Sequence, residues 1–105
     1  MTISQSGSFE HGTYGFPVKI QLAGNDVSLV DATVIHIAVR RPAQSSYNIA
    51  RDLIIPDDIV DIERGIIKWP VLSGELTVRG YYRIVVTIDF GAETRLTVDG
   101  DMLVT

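Results

Sequence analysis

The 105-residue chain carries thirteen acidic and nine basic side chains, a net charge of −4, and no cysteine. That length fits one domain burying about two-thirds of its unfolded surface, enough for a single core without staples. The missing thiols exclude disulfides, cysteine-built zinc sites and a cysteine nucleophile, and the acidic balance disfavours nucleic-acid binding, which draws its affinity from basic surface.

The chain opens with a segment rich in Ser, Gly and Thr, residues 1–15, that includes Phe9, His11 and Tyr14. It has neither a basic nor an apolar leader region, and no later apolar run approaches the roughly 20 residues that cross a bilayer. The expectation is synthesis in the cytoplasm without Sec-type export, and no membrane partner. Two aromatic rings in a polar arm point to docking, on its own domain or on a neighbour.

The domain proper is expected from residue 16 to residue 105. Phe16, Val18, Ile20 and Leu22 alternate with Lys19 and Gln21, as on a strand with one buried face, and Pro17 sits near its start. Gly24, Asn25 and Asp26 signal a turn. Residues 33–41 form a second strand with Ile35, Ile37 and Val39 on one face and His36, Ala38 and Arg40 on the other, and Pro42 ends it. Residues 47–55 read as a strand with Tyr47, Ile49, Arg51, Leu53 and Ile55 on one side. The charge of Arg51 in that row argues for an edge position or a register shift such as a bulge. Residues 59–63 and 66–71 flank Arg64-Gly65 as a hairpin, with Trp69 placed in the core.

Residues 76–90 are the clearest strand. Tyr82, Ile84, Val86, Ile88 and Phe90 share one face, while Tyr81, Arg83, Thr87 and Asp89 share the other with Val85. A turn at Gly91-Ala92, a strand at 93–98, a turn at Asp99-Gly100 and a short strand at 102–104 complete the chain. About seven or eight short strands with turn signals every 8 to 12 residues, and no helical apolar period, are the pattern of an all-β antiparallel sandwich.

No arrangement in the sequence carries a reaction. His11 lies in the arm, and His36 is expected as a half-exposed strand histidine without a carboxylate at matching spacing. There is no nucleophile elbow. Asp57, Asp58, Asp61 and Glu63 lack the loop spacing that calcium requires, and read as a solvated turn and edge. The glycines fall singly at turns rather than in a phosphate cradle. The reading is therefore no catalytic residue, no cofactor and no metal. Arg40 and Arg41, an isolated basic pair at a strand end, join Phe9, Tyr14 and Tyr47 as candidate partner contacts.

The run from Phe9-Glu10-His11-Gly12 through the Arg-Pro strand end, then Gly65-Ile66-Ile67-Lys68-Trp69, then Leu76, Gly80 and Tyr82, resembles a known family. It is similar to the N-terminal immunoglobulin-like domain of tailed-phage baseplate upper proteins and related tail and fibre modules. The resemblance implies an immunoglobulin-like sandwich in which Gly80 turns the chain and the Tyr82 hydroxyl bonds back to upstream backbone. It also implies a non-enzymatic virion part that attaches to other virion proteins and to copies of itself in a symmetric assembly. In that family further helical and receptor-adaptor segments follow, whereas this chain ends at Thr105. The expectation is thus a baseplate, tail or collar adaptor, with a capsid decoration protein or a carbohydrate-binding sandwich using Trp69, Tyr14, Tyr47 or Tyr81 as alternatives.

Overall fold

The computed structural model describes residues 2–4, 10–15, 17–22, 28–91 and 94–105. Phe9, Phe16, the turn at 24–26 and the pair at 92–93 lie outside them. The protein is an all-β sandwich of two four-stranded antiparallel sheets. Sheet A runs β1 (Thr2–Ser4), β2 (Pro17–Gln21), β6 (Ile66–Pro70), β5 (Ile59–Asp61) in spatial order. Sheet B runs β4 (Ile49–Asp52), β3 (Val34–Arg40), β7 (Gly80–Asp89), β8 (Arg95–Val104).

The alternation of the sequence becomes the two faces of each sheet. Val18 and Ile20 of β2 stand opposite Trp69 and Ile67 of β6, and all four are buried. From sheet B, Ile35, Ile37 and Val39 meet Tyr82, Ile84, Val86 and Ile88 in the same core, joined by Met102 and Val104 of β8. Trp69 is 0% exposed and is, with Tyr82, among the largest fully buried side chains. Phe90, last in its row, is only half-buried at the core margin.

The corner before β7 has the expected geometry. Gly80 adopts φ +127°, and a Cβ there would lie 3.0 Å from Cγ of Pro42. Two residues on, the Tyr82 hydroxyl donates to the Val78 carbonyl at 2.7 Å and accepts from the Val78 amide at 3.1 Å.

Three sequence expectations change. Asp99-Gly100 is not a turn: β8 continues through it, with Asp99 opposite Val85 and Gly100 opposite Ile84. Arg83 is the reason, since it binds Asp99 and Asp101 together, and residues two apart share a face only in a continuing strand. Asp58 is not solvated either. Its side chain is almost fully buried and accepts the Ile54 amide at 2.8 Å, which closes the loop between the two sheets. Asp61 accepts the Glu63 and Arg64 amides at 3.1 Å each, forming the hairpin to β6. Within the segment read as an arm, Thr2–Ser4 forms β1 and pairs with β2. Further on, the His11 amide donates to the Thr105 carbonyl at 2.9 Å, Gly12 to that of Leu76, and Gly15 to that of Val71 at 2.9 Å.

The sheets are also braced by charge. Arg51, inward-facing on the edge strand β4, forms a forked bond to Glu75 and donates to the Pro70 carbonyl at the end of β6. Glu75 accepts the Leu72 amide at 2.7 Å as well. Arg41 donates to the carbonyls of Glu75 at 3.2 Å and Gly74 at 3.0 Å. A charge that sequence periodicity places in an apolar row is thus neutralised by a loop 24 residues away.

Candidate interaction surface

The wet face of sheet B is where polar and aromatic side chains converge. Strand periodicity sets it: His36, Ala38 and Arg40 of β3 lie beside Tyr81, Arg83, Val85, Thr87 and Asp89 of β7. These in turn lie beside Leu103, Asp101, Asp99, Thr97 and Arg95 of β8.

At the corner end, Tyr81 stands opposite Leu103, and they are 67% and 46% exposed. One step along, Arg40 and Arg83 are cross-strand neighbours. Like charges so placed repel, and each is drawn aside by its own partner. Arg83 bonds Asp99 at 2.7 Å and Asp101 at 3.2 Å. The guanidinium of Arg40 lies over the ring of Tyr47, 5.6 Å from its centre, a cation–π contact. The hydrogen bond that Arg83 donates to Asp101, and then the charge of Asp99, raise the pKa of Arg83 above its ordinary value. Asp89 does the same for Arg95, bonded to it at 2.8 Å.

The expected contact residues divide accordingly. Arg40 and Tyr47 come together on this face. Arg41 is committed to the loop carbonyls described above. Tyr14 is exposed where the chain leads into β2, the strand of the other sheet. Phe9 lies outside the described residues. Leu103 was missed, because a lone leucine in a terminal strand gives no signal of which face it takes.

Chemistry-bearing groups elsewhere are accounted for by structure. Nδ1 of His36 lies 2.8 Å from the carboxylate of Asp52, its cross-strand neighbour on β4. Sequence spacing did not reveal that partner because the pairing is spatial. His11 lines an open cleft of about 280 Å³ with Glu10, Arg79 and Thr105. Its Nδ1 is 3.1 Å from the Thr105 carbonyl and 3.3 Å from Nε of Arg79. Among the described residues no group of three or more His, Asp or Glu is placed to hold a metal ion. Among the same residues no helix is long and apolar enough to cross a membrane.

Protein-family models, curated proteins and solved structures offer no match to this chain. The face must be read from its own chemistry. Tyr brings large contact area at low entropic cost and Arg a planar charged fork, and both are enriched at the energetic centres of protein interfaces. Tyr81, Leu103 and Arg40 stand on the strands of one sheet, and Tyr47, in the loop before β4, lies against Arg40. Asp99 and Asp101 flank this group with negative charge.

Proposed function

We propose that the protein is a non-enzymatic structural component of a tailed-phage particle. It acts as a baseplate, tail or collar adaptor through contacts with other virion proteins and with copies of itself. The observation that carries this reading is the exposed face of Tyr81, Leu103 and Arg40, held on a sheet by a strand ladder and a tyrosine corner, with Tyr47 of the adjoining loop packed on Arg40. The immunoglobulin-like character of the sandwich is part of the proposal, and strand order supports it. Taken as A to G with β4 as C′, the sheets read A-B-E-D and C′-C-F-G, the arrangement of immunoglobulin-type sandwiches. The Tyr82 hydroxyl bond to backbone four residues upstream is the second support.

The test is quantitative mass spectrometry of purified particles from cells carrying this reading frame. The expected result is the protein at a fixed copy number per particle. Tyr81→Asp with Leu103→Asp should lower that number sharply, because two carboxylates then enter the apolar centre of the contact. Particles of full composition that lack the protein would overturn the reading. The carbohydrate-binding alternative has lost its best platform, since Trp69 is buried in the core.

A further inference from the structure

Three of the four sheet edges are blunted. β1 and β5 have three residues each, and β5 carries a register shift between Ile59 and Asp61. β4 has four residues and an inward-facing arginine. These are the devices that stop a sheet from growing. β8 has none of them. It is ten residues long, carries no lysine or proline, and stays in register with β7 throughout. Among the described residues no strand pairs along its other side, although β1 packs near it and the His11 amide bonds the Thr105 carbonyl just past its end.

The inward row of β8 is unevenly covered as well. Met102 and Val104 are buried, whereas Leu96 and Val98 point inward yet stay only half-buried against the core. The first half of the strand is thus an edge that no described strand pairs, with apolar side chains still partly wet.

We propose that β8 is the seam of a symmetric dimer, in which two copies pair this strand antiparallel about a two-fold axis at Val98. The proposal rests on the reading of the protein as one that assembles with copies of itself. The charge pattern favours a second copy as occupant, and charge together with the fit of the inner face chooses the register. An antiparallel pair sets residues of the same face opposite one another, so the axis must pass through one residue. An axis at Asp99 sets Asp99 against itself. An axis at Gly100 sets Asp99 against Asp101, and one at Asp101 sets Asp101 against itself. All three place like charges face to face. An axis at Thr97 sets Arg95 against Asp99 but puts Leu96 against Val98 on the inner face, without the room that a glycine gives. With the axis at Val98, Arg95 meets Asp101 of the second copy, and Thr97 meets Asp99. On the inner face Leu96 meets Gly100, which leaves room for the larger side chain, and Val98 meets Val98. The outer charges then alternate across the seam as Asp89, Arg95, Asp101 and Arg83, the last two from the second copy. Sheet B becomes one eight-stranded sheet, and the half-wet Leu96 and Val98 are covered.

Sedimentation velocity of the full chain over a range of concentrations tests this. A monomer–dimer equilibrium is expected. Val98→Lys puts two ammonium groups on the axis and should weaken it on the order of 100-fold. Since Val98 also touches the core, the exposed Arg95→Asp supplies a second variant, expected to weaken the dimer in the same direction. Arg95→Asp also loses Asp89, and Asp101→Arg also loses Arg83, within its own chain. The control therefore mixes the two single variants: each alone should dimerise weakly, and the mixture, with opposite charges at both pairings of 95 with 101 across the seam, should form the heterodimer. In a chain without native cysteine, Val98→Cys should oxidise to a linked dimer, whereas Val85→Cys should not. A protein monomeric up to about 1 mM, or a dimer that Val98→Lys and Arg95→Asp leave unchanged, overturns the proposal. A monomer that still enters particles sinks this seam and leaves the proposed function standing. A dimer never found in particles does the reverse.

Discussion

Tyr82 does two jobs at the start of β7. Its ring fills the core, and its hydroxyl closes the corner on both backbone groups of Val78. Tyr82→Phe keeps the first job and removes the second. Val78 is exposed, so water takes over the freed groups, and the expected loss is about 1 kcal/mol in denaturant unfolding. Glu75 is a different case. It is nearly buried and holds Arg51 and the Leu72 amide at once. Glu75→Ala leaves a guanidinium half-shielded from water, and the cost should be about 1 to 3 kcal/mol, below the fully buried range because Arg51 still reaches solvent. Replacing both partners, as Arg51→Met with Glu75→Leu, should recover much of that loss in the same measurement. Tyr82 was legible in the sequence because its corner is local, within seven residues of Leu76. The partners of Arg51 and His36 were not, because the fold rather than spacing brings them near.

At the level of the strand, β7 and β8 show where local signals succeed and where they yield. The period-two row from Tyr82 to Ile88 gave the buried face of β7 correctly, since no competing order suits that pattern. Asp99-Gly100 carried an equally strong turn signal, and tertiary contacts overrode it. Arg83 needed both flanking carboxylates on one face, and Gly100 could lie opposite Ile84 without a side chain. The corner at Gly80 tolerates no such negotiation. A methyl there meets the Pro42 ring at 3.0 Å and forces φ +127° on a residue that avoids it. Gly80→Ala should therefore cost about 1 to 3 kcal/mol, read from thermal or denaturant midpoints. A variant as stable as the parent would mean that the corner relaxes freely. The interaction face was half legible. Arg40 and Tyr47 stood out by residue type, while Leu103 acquires meaning only once β8 is continuous and turns it outward beside Tyr81.

On the scale of the whole molecule, stability resides in one apolar layer between two four-stranded sheets, and no covalent staple supports it. Ile84 lies near the middle of that layer with neighbours from β3 and β8. Ile84→Ala should cost about 2 to 4 kcal/mol through lost transfer energy and the cavity left behind. Equilibrium unfolding followed by the single tryptophan measures it directly, and emission of the native state should resist aqueous quenchers. Trp69 offers more than a fluorescence signal. Its indole nitrogen is sealed in the core and meets no acceptor among the described residues. Deuterium from solvent reaches that proton only when the two sheets part, whereas edge-strand amides exchange through local fraying. One resonance in a proton spectrum therefore clocks the opening of the entire sandwich, and would slow in proportion to any partner that holds the sheets closed.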